Sequence, residues 1–224
     1  MVICLIHGAW HDESCWDSVR PLLTAAGHRV VAPRLPIDDP IQQLADYAEV
    51  AISAVGSETE TVIVGHSMSS DVAAIVASRV PVRHVVYLCP LMAIFERPAG
   101  EPEVFREGVF DSVEEDESGR SFWRAEAAIS QMYRALDGEL AAGLAERLRP
   151  QCNARRDDPP ITSPPKVPST FLYTTEDEFF RPEWSNWAAR AICGLEPVAW
   201  PGGHFPMLER PIELARFIES LGVA

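Results

Sequence analysis

The sequence predicts an α/β fold: a mostly parallel central sheet flanked by helices, with an inserted, mainly helical cap. Two observations carry this expectation. Short apolar runs alternate with amphipathic helical patterns on both sides of a middle segment, the arrangement of a parallel sheet covered by helices on both faces. Between Leu91 and Pro165 the alternation stops. The chain therefore divides into a core of residues 1–90 and 166–224 and an inserted cap of residues 91–165. Such an insert sits over the carboxyl ends of the strands, where open α/β sheets bind ligands.

The elements follow in order. Val2–Ile6 is apolar throughout and reads as a strand buried on both faces. Trp16, Val19, Leu22, Leu23 and Ala26 share one helical face, ended by Gly27. Arg29-Val30-Val31-Ala32 is a strand stopped by Pro33. Ile41, Leu44, Ala48, Ile52 and Val55 mark a helix entered after Asp39-Pro40 and closed by Gly56. Thr61-Val62-Ile63-Val64 is a third strand, residues 71–79 form a small-residue helix, and His84-Val85-Val86-Tyr87-Leu88 is a fourth strand. In the insert, Phe122, Ile129, Met132, Tyr133 and Leu136, then Leu140, Leu144 and Leu148, recur at helical spacing, and no strand is expected there. Asp157-Asp158-Pro159-Pro160 through Pro164-Pro165 is a breaker-rich return linker. Strands resume at residues 170–174 and 197–200, with helices at 184–192 and 212–221, the last begun by Pro211.

Composition removes several functions. With 19 Lys plus Arg against 33 Asp plus Glu, the net charge of −14 repels phosphate backbones, so no nucleic-acid partner is expected. No apolar run is long enough to cross a membrane, and 47% hydrophobic residues are too many for a disordered chain. The five cysteines are scattered without a CxxC pair, which argues against a zinc site or a disulfide framework. The start reads as a strand rather than a leader, so a cytoplasmic location is expected.

The chemistry is carried by three segments. In Val64-Gly65-His66-Ser67-Met68-Ser69, a serine stands at a strand-to-helix junction with small residues two before and two after. A nucleophile on such a tight turn projects its Oγ above the sheet, and the helix N-terminus behind it favours developing negative charge. The bland alternative for Ser67 is a helix N-cap. Near the C-terminus, His204 follows Gly202-Gly203 and precedes a helix start, a loop position suited to a general base. Between them, the strand end Thr174-Thr175-Glu176-Asp177-Glu178 offers three carboxylates, of which Asp177 is preferred as the group that orients His204. The turn after the first strand, His7-Gly8-Ala9-Trp10, can offer the N–H of Ala9 to an oxyanion beside that of Met68. A structural role is favoured for His7, and His11 is left open. Candidate substrate-binding walls are Trp10, Leu91, Met92, Phe179 and Phe205, with Phe105, Phe110, Trp123 and Tyr133 from the cap. Arg124, Arg134 and Arg155 are candidate partners for an anionic substrate, against a simpler role as solvated surface charges.

Together these segments resemble the α/β-hydrolase superfamily, and within it the small branch of plant methylesterases, hydroxynitrile lyases and bacterial carboxylesterases. The resemblance implies a serine hydrolase of a small or medium carboxylic ester, lactone or thioester. It implies Ser67, His204 and Asp177 as catalytic residues, Ala9 and Met68 as backbone oxyanion donors, and no metal or cofactor. A small-molecule substrate is the expected partner, and a homodimer is left open. Two features depart from the branch. Ser69-Ser70 stands where Gly-Gly is usual, and Phe205 stands where the lyases carry a lysine. A lyase, acyltransferase or biosynthetic cyclase, and a non-catalytic small-molecule receptor, are the alternatives on the same scaffold.

Overall fold

The computed structural model describes residues 1–152 and 161–222, so the part of the return linker at 157–160 lies outside the described residues, as does Arg155. The first half contains β1 (Val2–Ile6), α1 (Arg20–Ala25), β2 (Arg29–Val31), α2 (Leu44–Val55), β3 (Thr61–His66), α3 (Ser69–Arg79) and β4 (His84–Leu88). The insert holds β5 (Val113–Glu115), β6 (Ser121–Trp123), α4 (Ala125–Gln131) and α5 (Gly138–Ala145). The chain returns through β7 (Ser169–Thr174), α6 (Pro182–Ala191), β8 (Val198–Trp200), α7 (Pro206–Glu209) and α8 (Pro211–Ser220).

Six strands pair in the order β2-β1-β3-β4-β7-β8, every neighbour parallel. Parallel strands require crossovers, and the helices that make them bury both faces of the sheet. That is why Val2–Ile6 and Thr61–His66 are buried along their whole length. From β1 the chain crosses to β2 on one side and then back to β3 on the other. The strand order thus reverses between β1 and β3, and the register Ile6↔Gly65 brings the ends of these two strands level. A crevice opens at such a reversal, beyond the carboxyl ends of the strands.

Local chemistry explains where elements begin and end, including where they differ from expectation. α2 starts at Leu44, not after Asp39-Pro40, because Gln43 and Asp46 close a capping box there. Ile41 is left outside the helix and is 77% exposed. Gly56 takes φ 75° at the end of α2, a conformation that its missing Cβ makes inexpensive. The single helix expected over Trp16–Ala26 is a 3-10 turn, Glu13–Trp16, followed by the short α1, whose Pro21 near the start separates the two. Trp16, Val19 and Leu23 are buried, whereas Leu22 and Ala26 face solvent. The insert contains an antiparallel hairpin, β5 with β6, where no strand was expected, and Phe122 lies in it rather than in a helix.

α3 packs against α2, β3 and β4, and is buried from Ser69 through Ala77. Its small side chains permit an unusually close approach. A Cβ at Gly65 would stand 2.4 Å from the carbonyl oxygen of Ser69 and 2.7 Å from Cβ of Ala73. Both are fixed groups, so the backbone itself must move to admit a methyl group. Gly65→Ala is therefore expected to destabilise the protein by about 2–3 kcal/mol through overpacking. A urea unfolding midpoint unchanged from the parent would contradict this.

Candidate active site

Among the described residues, four non-glycine residues have left-handed backbone conformations: Trp10 at φ 60°, Ser67 at 54°, Cys89 at 43° and Met92 at 53°. All lie just beyond the carboxyl ends of β1, β3 and β4. Such residues persist only where the surroundings over-determine them, and they cluster at functional sites. Ser67 sits on the β3–α3 turn, with its N–H donated to the Leu88 carbonyl (2.9 Å) and its carbonyl accepting from Leu91 (3.2 Å). The two serines that replace Gly-Gly are structural. Ser69 Oγ donates to the His7 carbonyl, tying the serine turn to the turn after β1, and Ser70 Oγ donates to the Gly65 carbonyl (2.9 Å).

His204 and Asp177 are both buried, and His204 Nδ1 lies 2.7 Å from Asp177 Oδ2. A carboxylate only accepts, so Nδ1 carries the proton and Nε2 is left as the basic nitrogen. Asp177 Oδ1 accepts the N–H groups of Phe179 (2.7 Å) and Phe180 (2.9 Å), which fix the carboxylate in a tight turn after β7. The His204 backbone is held on both sides: its N–H donates to Glu178 Oε2 (2.8 Å), and its carbonyl accepts from His66 Nε2 (2.8 Å). Glu209 takes the preceding N–H, from Gly203, at 2.8 Å. Of the three competing carboxylates, the structure thus places Asp177 on the imidazole and Glu178 on the loop that carries it.

Ser67 and His204 line one cavity of about 290 Å³ between the core and the insert. Ala9, Trp10, Met68, Leu91, Phe179 and Phe205 line it as well, as do Phe105 and Phe110 from the insert. Among the described residues the backbone N–H groups of Ala9 and Met68 have no protein acceptor. Met92 is a correction. The chain turns left-handed after Leu91, Asp71 Oδ2 accepts the N–H of Ala93 (3.1 Å), and Met92 is fully buried in the core instead of facing the cavity. Trp123 and Tyr133 stand behind the lining, Trp123 against Trp10 and Phe179 and Tyr133 against His11 and Phe205.

His11, His66, Met132, Gln151 and Phe180 also line the cavity and were not expected to. Only His11 had a sequence signal, its position in the turn after β1. Among the described residues, no lysine, arginine or carboxylate lines the cavity. Arg124 is paired with Glu114 and Arg134 with Glu178. Ligand atoms of Cys89, Asp177 and His204 lie within 4.8 Å of one another, the arrangement a metal ion needs. The acid and the imidazole are already bonded to each other, however, and burial holds the Cys89 thiol well above its ordinary pKa, so the set is poor in available anionic donors.

Three further histidines are kept neutral. His7 Nε2 accepts the Leu35 N–H (3.0 Å), the structural role expected of it, while Nδ1 donates to the Gly8 carbonyl (2.9 Å). His11 Nδ1 donates to the Ala9 carbonyl (2.7 Å), which leaves Nε2 to accept from the Tyr133 hydroxyl (2.7 Å). Burial lowers His7 and His11 to about 4 and His66 well below its ordinary value.

The chain belongs to the alpha/beta hydrolase family, whose model matches residues 3–217. Within it, two similar curated proteins are methylesterase 7 of Arabidopsis thaliana, 34% identical over 124 residues, and a pyrethroid hydrolase of Sphingobium wenxiniae, 33% identical over 111 residues. The aligned segments cover 50% and 46% of this chain and 47% and 39% of those proteins, so the chain spans less than half the length of these relatives. Solved structures extend the likeness in fold to the whole chain. A pyrethroid hydrolase from Sphingobium faniae superposes with TM-score 0.72 at 24% identity over 100% of this chain and 98% of that one. A methylesterase from Arabidopsis superposes with TM-score 0.77 at 19% identity over 98% of both. The resemblance to this branch and the expected fold class both hold.

The neutral histidines have a thermodynamic consequence. Unfolding raises His7 and His11 from about 4 towards the ordinary 6.5, so the unfolded chain binds more protons across that interval. Their contribution to stability is complete above pH 6.5 and is lost as the pH falls towards 4. Burial raises Glu178, which acts in the opposite sense, but it is one group against four imidazoles, since burial lowers His66 and the half-buried His84 as well. The thermal midpoint is expected to fall by roughly 5 °C or more between about pH 7.5 and 5.5. Circular-dichroism melts showing a flat or rising midpoint on acidification would contradict it.

Proposed function

We propose that the protein is a carboxylic ester hydrolase that works through an acyl-enzyme on Ser67, acting on a neutral, largely apolar ester of small or medium size. The observation that carries this reading is the buried Asp177–His204 pair, which leaves Nε2 as the acceptor in a cavity that Ser67 also lines. Similarity to esterases at 33–34% identity supports it.

In the proposed reaction Ser67 Oγ attacks the ester carbonyl while His204 Nε2 takes its proton. The carbonyl oxygen becomes an oxyanion, to which the N–H groups of Ala9 and Met68 donate. The C–O bond to the alcohol breaks, and the imidazolium returns its proton to the departing oxygen. Water, deprotonated by the same Nε2, then releases the acid and restores Ser67. Asp177 keeps the proton on Nδ1 and stabilises the imidazolium. A cavity that no lysine or arginine lines among the described residues suits a neutral substrate. The Phe205 ring in place of a lysine leaves no cation for cyanide, which disfavours hydroxynitrile lyase chemistry.

A fluorophosphonate probe is expected to label Ser67, located by mass spectrometry, and the protein is expected to hydrolyse short p-nitrophenyl esters. Ser67→Ala should abolish labelling and lower kcat by about ten-thousand-fold or more, with the thermal midpoint nearly unchanged. Retained turnover in that variant would sink the proposal. Labelling without turnover would move the protein to lyase or acyl-transfer chemistry, or to a receptor role.

A further inference from the structure

Trp10 directly follows Ala9 and holds φ 60°, a conformation costly for a bulky side chain. Each of its polar groups is bonded to the insert. Its N–H donates to Gln151 Oε1 (2.8 Å), its carbonyl accepts from the Arg149 N–H (2.8 Å), and its indole N–H donates to Ser121 Oγ (3.0 Å). Gln151 and Ser121 hold each other by reciprocal backbone hydrogen bonds of 2.8 Å, and Gln151 is itself buried.

The orientation of the Gln151 amide follows from its partners. A backbone N–H can only donate, so the atom facing Trp10 is the oxygen. The nitrogen then lies 3.3 Å from Met68 Sδ, a weak acceptor. One planar amide therefore spans from the N–H of Trp10, the neighbour of Ala9, to the side chain of Met68; Ala9 and Met68 carry the N–H groups that receive the oxyanion in the reaction proposed above.

We propose that Gln151 is a positioning residue of the oxyanion hole: its amide locks the turns that carry the Ala9 and Met68 donors at a fixed separation. The inference rests on the esterase reading. Oxyanion donors act only when they lie at hydrogen-bonding distance from the oxygen of the tetrahedral adduct, so an error in their spacing weakens the transition state more than the bound substrate. Removing the amide frees the Trp10 N–H and leaves a left-handed residue anchored through its carbonyl alone on the main chain.

The test uses Gln151→Met, which keeps the length and bulk of the side chain and removes both hydrogen bonds, beside Gln151→Glu, which keeps the acceptor for Trp10. Turnover of a p-nitrophenyl ester is expressed per serine titrated by the fluorophosphonate, so partial misfolding does not count as lost catalysis. In Gln151→Met, kcat per titrated serine is expected to fall at least about tenfold. KM should stay within about twofold, and the affinity of a boronic acid that mimics the tetrahedral adduct should fall by the same factor as kcat. Hydrogen exchange of the Trp10 amide, read by NMR, should quicken in Gln151→Met and stay slow in Gln151→Glu. Either a kcat per titrated serine within twofold of the parent or unchanged Trp10 exchange in Gln151→Met overturns the proposal. If both occur while Ser67→Ala is inactive, the esterase reading stands without the clamp. If the parent protein neither labels nor turns over esters, that reading fails, and Trp10 exchange alone decides whether Gln151 holds the turn.

Discussion

At residue 65 the gap between β3 and α3 admits a hydrogen atom and nothing larger. That close approach forces the turn between them into the left-handed conformation of Ser67, and it sets where the serine stands above the sheet. The rest of the site is arranged to hold this turn. The Ser67 main chain is bonded to Leu88 at the end of β4 and to Leu91 beyond it, and the Ser69 hydroxyl reaches the carbonyl of His7 beyond β1. The left-handed residues at the neighbouring strand ends, Trp10, Cys89 and Met92, belong to the same strained rim. A fully buried parallel sheet supplies the rigidity that lets several unfavourable backbone conformations coexist.

The electrostatics follow from the same burial. Asp177 is bonded to the His204 imidazole through one oxygen, and its other oxygen is saturated by two backbone N–H groups. His11 and His66, which line the same cavity, and His7 in the turn after β1 are neutral hydrogen-bonding pieces, each with a donor nitrogen on a backbone carbonyl. On the proposed reaction this matters, because His204 turns cationic in mid-cycle. Protonated neighbours would repel that charge in a medium of low dielectric, and neutral ones do not.

The placement of Ser67, Asp177 and His204 was legible because each lies in a short segment with its own signature. The small residues flanking Ser67, the two glycines before His204 and the acidic strand end around Asp177 are all local. What escaped depends on contacts between distant parts of the chain. Gln151 meets Trp10 across 141 positions and His66 meets His204 across 138, and neither meeting leaves a mark in spacing or periodicity. Glu178 was a bystander until the fold brought it under the His204 loop. The β5–β6 hairpin was missed because strands of three residues are too short to show alternation. Met92 was misplaced because one left-handed residue after β4 sends adjacent side chains to different surroundings, the cavity for Leu91 and the core for Met92.

The insert does two separable jobs, and they constrain its residues differently. Phe105 and Phe110 contribute apolar rings to the cavity, in edge contact with each other and packed on Phe180, Phe179 and Trp10, and their replacement changes its shape without breaking a side-chain hydrogen bond. Ser121 and Gln151 also line it, but Ser121 Oγ and Gln151 Oε1 are committed to Trp10 and Gln151 Nε2 to Met68. On the clamp proposed here, the walls that select a substrate can be altered freely, whereas the end of the insert that touches the β1 turn must keep its amide. The division falls between side chains that contribute area and side chains that contribute direction. An apolar wall tolerates exchange at similar volume, and a hydrogen bond to a fixed main-chain N–H does not.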